Sequence, residues 1–200
     1  VTNSAVQIAC NVSLQNYGSG VYVGVMTIIN SIREVLQMPV TGLGNGAQPI
    51  IGFNYGAGEN GRVKEAIRYL AAMLIIYSTV AWFIILLIPK FLIGIFTADA
   101  ALITVGVPSL HIYFFGFFLM AFMFTGQTVF VGIGKAKFAI FFSILRKGIV
   151  VIPLILLLPI WFGVNGVFLA EPISNLIGGL ACFTTMYFAV YRKLKFEVQF

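Results

Sequence analysis

Tyr55-Gly-Ala-Gly-Glu-Asn-Gly-Arg-Val-Lys64 carries Gly56, Gly58 and Gly61 at the spacing G-x-G-x-x-G. In a dinucleotide-binding turn, that spacing lets the backbone approach a pyrophosphate. Such a turn follows a strand and needs an acidic residue about 20 positions later. After Glu65 no acid occurs until Asp99, and Tyr69 to Pro89 between them carries no charge. The residues before the turn, from Gly20 to Phe53, are apolar and interrupted by Pro39 and Pro49. The glycines therefore read as the end of one membrane helix and a tight reversal into the next.

Composition supports the same reading. The 200 residues are 60% hydrophobic and 9% charged, against about a quarter charged in a soluble domain. Charge-free runs also cover Ala100 to Gly134, Gly148 to Ala170 and Pro172 to Tyr191. A spanning helix needs roughly 20 mainly apolar residues, so spans are expected at 20–53, 67–96, 103–132, 138–162 and 165–191. Residues 1–14 are too short to span; they lack a signal peptide's basic start and read as the tail of a truncated helix. β-Barrel strands would be short and alternating, and these runs are long and uniformly apolar. The fold class is an all-α, polytopic helical membrane bundle: five full spans plus a partial first helix, all in one unit over 1–200.

The loops set an orientation. Arg62, Lys64, Arg68, Lys135, Lys137, Arg192, Lys193 and Lys195 fall on one side, whereas the other side carries only Lys90. Cytoplasmic loops collect Lys and Arg, which places the carboxyl terminus in the cytoplasm of a cell-membrane protein. The net charge of +6 is then a consequence of topology. The basic residues are too scattered for a nucleic-acid groove.

The 20–53 segment concentrates polar chemistry. Thr27, Asn30, Glu34, Gln37 and Thr41 recur every three or four residues and share one helical face. Glu34 lies about 20 Å along the segment at the usual helical rise, well inside the membrane, where a charge is costly and tends to face a cavity or a partner. It reads as a proton- or cation-binding residue, with a structural ion pair or hydrogen bond as the alternative. Its neighbour Arg33 points about 100° away around the helix. Pro39, Gly42, Gly44, Gly46, Pro49 and Gly52 predict a bend or break between Pro39 and Pro49. Discontinuous helices of that kind line the substrate path of many transporters.

Other polar residues are placed by the same rules. Arg146 and Lys147 fall inside the 138–162 stretch and are expected to snorkel to the headgroups, with a water-filled cleft as the alternative. Glu171, before Pro172, reads as a snorkelling or capping carboxylate, with proton or cation binding as the alternative. His111 and Gln127 in the fourth span are packing residues first, with proton relay and substrate contact as their alternatives. That span also carries Phe114, Phe115, Phe117, Phe118, Phe122, Phe124 and Phe130 on all faces, so most of these must touch lipid or neighbouring helices. Cys10 and Cys182 read as buried, unpaired thiols. No spacing matches a metal site, H-E-x-x-H or G-x-S-x-G, which argues against an enzyme and against any bound cofactor.

The run Pro39-Val-Thr-Gly-Leu-Gly-Asn-Gly-Ala-Gln-Pro-Ile-Ile-Gly-Phe-Asn-Tyr-Gly-Ala57 resembles the multidrug and toxic compound extrusion (MATE) family, as does Gly163-Val-Asn-Gly-Val-Phe-Leu-Ala-Glu-Pro-Ile-Ser174. In the first run Pro39, Gly42, Gln48, Pro49, Asn54, Tyr55, Gly56 and Ala57 sit where the family motif sits. The resemblance implies a secondary antiporter of twelve helices in two six-helix lobes, of which this chain would be the carboxyl-terminal lobe, partnered by a missing amino-terminal one. It implies export of cationic or amphipathic drugs in exchange for protons or sodium ions. Some family members carry an acidic coupling residue in the fourth helix of this lobe; Ala100 to Gly134 has none, which leaves coupling to the other lobe or to Glu34. The rival readings are a flippase of lipid-linked sugars from the same wider superfamily, which calls for a more cationic cleft, and a non-transporting membrane scaffold.

Overall fold

The computed structural model describes residues 2–194. Lys195, counted above with the basic loops, and Val1 lie outside the described residues. The chain runs through α1 (Thr2–Tyr17), α2 (Gly20–Gly56), α3 (Asn60–Leu87), the short α4 (Pro89–Gly94), α5 (Ala100–Tyr113), α6 (Met120–Gly132), α7 (Ala136–Ile144), α8 (Ile152–Phe162) and α9 (Val164–Ala189). A 3₁₀ turn, Phe117–Leu119, leads into α6, and a π-helical stretch, Leu145–Val151, joins α7 to α8.

Among the described residues three stretches are long and apolar enough to cross a membrane, Asn60–Leu87, Ala136–Phe162 and Val164–Lys193, and the expected 20–53 span is not one of them. Ala100–Tyr113 with Phe117–Gly132 is a bent pair, angled by 43°, whose two helices reach that length and apolarity only when taken together. The expected single span over 103–132 is therefore a broken one. Gly116 at φ 69° supplies the left-handed residue at the break, a conformation glycine adopts without the Cβ penalty.

The expected break in the 20–53 segment does not occur. Helix α2 runs unbroken through Pro39 and Pro49 for 37 residues, roughly 55 Å at 1.5 Å per residue. Each proline removes the donor for the carbonyl four residues back, here Val35 and Asn45. Both prolines and both of those residues are exposed, so the freed carbonyls are not sealed in the core. The Tyr77 hydroxyl also donates to the Leu36 carbonyl at 3.0 Å, tying α3 to α2 one turn before Pro39.

The glycines of α2 have a different job from loosening it. A Cβ at Gly52 would stand 2.8 Å from the Gly132 carbonyl oxygen, and one at Gly44 would stand 3.0 Å from the Thr128 hydroxyl. Gly44 and Gly52 thus let α2 cross α6 backbone to backbone, the usual use of small residues between membrane helices. Gly42 and Gly46 face open space. At the end of α2, Gly58 takes φ 77° and α3 begins at Asn60: the G-x-G-x-x-G stretch is a helix–helix reversal with helices on both sides.

Packing follows helix order only partly. Helix α2 lies along α3, α5 and α6, and α9 packs on α6 and α8. Phe130, Phe168, Leu70, Leu74 and Ile29 are fully enclosed at the centre. Phe53, Ile76, Leu87, Phe141 and Trp161 are exposed, as side chains bathed in lipid must be. Cys10 and Cys182 are both buried and free.

Candidate functional site: an ion cluster inside the bundle

Helix α9 carries Glu171, Asn175 and Gly178 at i, i+4 and i+7, which places all three on one face. The π-helical stretch points Arg146 at that face. One guanidinium nitrogen, Nη1, donates to Glu171 Oε1 at 3.0 Å and to Asn175 Oδ1 at 2.7 Å. The stem of Arg146 lies over Gly178, where a Cβ would stand 2.8 Å from its Cγ. From α2, the Nη1 of Arg33 approaches the same Glu171 oxygen at 3.9 Å. Arg146 is only 8% exposed.

The expected snorkelling of Arg146 is thereby overturned, and so is that of Glu171, whose side chain is 13% exposed. A regular helix over 138–162 would not distinguish Arg146 from its neighbours. The π stretch shifts the register by its wider turn, as π-bulges commonly do where a helix carries a functional side chain. An inward-facing, neutralised pair then costs less than two separate charges in lipid.

The cluster borders a cavity of about 100 Å³ whose polar lining comprises Arg33, Arg146, Lys147, Glu34, Glu171, Asn30, Gln7 and Tyr113. Three cations and two carboxylates line it, so the formal charge of the lining is one unit positive. Arg33 Nε and Arg146 Nε are buried and meet no hydrogen-bond acceptor among the described residues.

The polar stripe of α2 divides at this point. Asn30 and Glu34 reach the cavity, Glu34 as an exposed residue. Thr27 and Thr41 are exposed and donate to their own helix, to the Val23 and Gln37 carbonyls at 3.0 Å each. Gln37 contacts Met120 Sδ at 3.4 Å. The ion pair of Arg33 is with Glu171 and not with the adjacent Glu34, as their angular separation on the helix requires.

The remaining candidates lie elsewhere. His111 is half-buried, with no partner for Nε2 among the described residues, and does not line the cavity. Gln127 reaches the Ala139 carbonyl at 3.4 Å, joining α6 to α7. In the motif run, Asn54 donates to the Ile50 carbonyl at 2.8 Å, Gln48 and Pro49 edge a groove of about 360 Å³ against α6, and Gly42 and Gly46 edge another of about 610 Å³ against α3. Tyr55, Gly56 and Ala57 are exposed at the reversal. Among the described residues no group of His, Cys, Asp and Glu is arranged to hold a metal ion. Arg146 with Asn175 is what residue-by-residue reading missed. The signal available was the stripe Glu171, Asn175, Gly178 on an otherwise apolar helix.

In a polytopic helical bundle, ionised groups turned inward are the kind of feature that marks substrate and ion paths in membrane transporters and channels. The family model MatE matches residues 1–157, and the chain belongs to that family. The multidrug export protein MepA of Staphylococcus aureus (strain MRSA252) is 26% identical over 159 residues, covering 77% of this chain and 34% of the relative. MepA of Staphylococcus saprophyticus is 28% identical over the same coverage. The chain thus spans about a third of the length of the relatives it matches. Among solved structures, a MATE protein in the straight conformation superposes with a TM-score of 0.89 at 18% identity, over 96% of this chain and 44% of the other. A transporter of the MOP superfamily from Pyrococcus furiosus, described by the reverse polarity of its binding pocket, superposes at 0.88 and 17% identity over the same shares. These likenesses establish the fold of one half of such a protein.

Proposed function

We propose that the chain is the carboxyl-terminal lobe of a secondary antiporter that exports cationic or amphipathic drug-like compounds by alternating access, driven by protons or sodium ions. The observation that carries this reading is Glu34. It is a carboxylate exposed on the polar face of α2 and bordering the ion cluster, and a charge kept in so apolar a bundle tends to face a cavity or a partner. A polar stripe on the outside of a bundle needs a partner surface or water, and a second lobe across a cleft provides both. Family membership supports transport over a scaffold role and over catalysis. The basic loops orient the lobe with its carboxyl terminus in the cytoplasm, in the cytoplasmic membrane.

The test uses the full-length protein. Glu34→Gln is expected to reduce proton- or sodium-driven efflux of ethidium several-fold while membrane abundance is unchanged. Efflux equal to wild type under both gradients would remove Glu34 from coupling.

A further inference from the structure

From the donor surplus of the ion cluster we infer that this lobe contains an anion-receiving subsite: the cavity between α2, the π-helical stretch and α9 accepts one carboxylate- or phosphate-sized group of an amphipathic ligand. Arg33, Arg146 and Lys147 face it, against Glu34 and Glu171. Glu171 is already engaged by Arg146 at 3.0 Å, and Asn175 takes the second contact from the same nitrogen. Arg33 stands at 3.9 Å from Glu171, beyond hydrogen-bond range, so its guanidinium is attracted without being satisfied. Arg33 Nε and Arg146 Nε are both buried without an acceptor among the described residues. Both guanidiniums approach the same Glu171 oxygen, so they flank a single point.

Size and chemistry then select the ligand group. Drug-sized pockets run about 300–1,000 Å³, and this cavity of about 100 Å³ admits a headgroup and not a whole amphiphile. Paired guanidiniums favour planar or tetrahedral oxyanions through directed N–H donation. A cationic headgroup would meet the like charge of Arg33 and Lys147. Glu34 lines the same cavity, and the single excess positive charge is what remains after it and Glu171 are counted. The inference rests on the transport reading only for the amphipathic character of the ligand. Binding is measured at equilibrium without a gradient, so its failure is separate from a failure of the antiport reading.

The experiment is fluorescence anisotropy of carboxyfluorescein, an anionic probe, with ethidium as the cationic control. The full-length protein is held in nanodiscs of phosphatidylcholine. Carboxyfluorescein should bind saturably, and Arg33→Gln should weaken it by about tenfold or more, the loss of a charge-assisted hydrogen bond. Arg33→Lys should recover part of that loss, and ethidium binding should not weaken in Arg33→Gln. Because removing Arg146 alone would strand Glu171, the second variant is Arg146→Gln with Glu171→Gln, which withdraws both charges; it too should weaken carboxyfluorescein. A parallel arm adds phosphatidylglycerol to the nanodiscs. If its headgroup occupies the site, carboxyfluorescein binds more weakly in wild type but not in Arg33→Gln; if the site takes soluble anions, the lipid has no effect. Either result supports an oxyanion site and assigns its source. Equal carboxyfluorescein binding by wild type and both variants, no binding by wild type, or loss of ethidium binding in Arg33→Gln would overturn the inference.

Discussion

Glu171→Gln should cost the lobe more stability than any other single change to its polar groups, and withdrawing its partner as well should restore most of the loss. Arg146 is 8% exposed and uses one nitrogen for both Glu171, at 3.0 Å, and Asn175, at 2.7 Å. Neutralising Glu171 leaves the buried guanidinium with a neutral amide and with Arg33 as a close like charge. Breaking a buried pair from one side costs about 3–5 kcal/mol, whereas replacing both partners with apolar residues of similar volume is often neutral or stabilising. For 150–250 residues about 1 kcal/mol moves the midpoint by roughly 2–4 °C, so the single variant should melt at least about 6 °C lower. The double variant Arg146→Met with Glu171→Leu should return to within about 2–4 °C of wild type, within an error of about 1 kcal/mol. The assay is thermal unfolding of the purified full-length protein in detergent, read by intrinsic fluorescence and by the monodisperse fraction on gel filtration. Additive losses in the double variant would refute the reasoning, because independent sites add and coupled ones do not. An unchanged midpoint in Glu171→Gln would refute the pair itself.

Two further outcomes test the backbone. Gly52→Leu should lower the folded yield sharply, because its Cβ alone would stand 2.8 Å from the Gly132 carbonyl oxygen and only a backbone shift relieves that; Gly42→Ala, which meets open space, should be tolerated, and both are read by fluorescence-detected gel filtration of membrane extracts. Gly58→Val should destabilise the reversal by roughly 1–2 kcal/mol, since φ is 77° there, with ethidium efflux per folded molecule unchanged; a loss of efflux without a loss of stability would mean that the turn does more than reverse the chain.

The helices were legible because long apolar runs in lipid must satisfy their own backbone whatever their local propensities; the number of full spans was not, since among the described residues three stretches, or four with the bent pair, pass by length and composition against the five expected. Breaks were the harder part. Proline and glycine are local signals, and Pro39 and Pro49 marked a helix that does not break, because their freed carbonyls lie on its exposed side. The break that does occur, at Gly116, was hidden among phenylalanines read for their contacts with lipid and neighbouring helices. The glycines of α2 could be interpreted only once α6 was in place, since a close crossing is a property of two helices. Glu34 and Asn30 were legible as a face of one helix. The pairing of Arg146 with Glu171 was not, for it joins residues 25 positions apart through a π-helical register that regular periodicity does not anticipate.

The two arms of the cluster are unequal, and the inequality has a structural cause. Arg146 is held by two acceptors, by burial, and by the close approach of Gly178, which no larger residue would permit without displacing its stem. Arg33 is held by an attraction across 3.9 Å, with 26% of its side chain exposed. Breaking an interaction of the second kind, partly wetted and without a hydrogen bond, costs at most about 1 kcal/mol, whereas removing one partner of the first costs about 3–5 kcal/mol. Any movement of α2 relative to α9 would therefore part Arg33 from Glu171 long before it disturbed Arg146. Helix α2 is also the element that bears Glu34 and Asn30 on the polar face beside the cavity. Arg146, Glu171 and Asn175 thus form the tightly held part of the site, while Arg33, Glu34 and Asn30 border it from α2, whose own hold on the bundle comes from its packing on α3, α5 and α6.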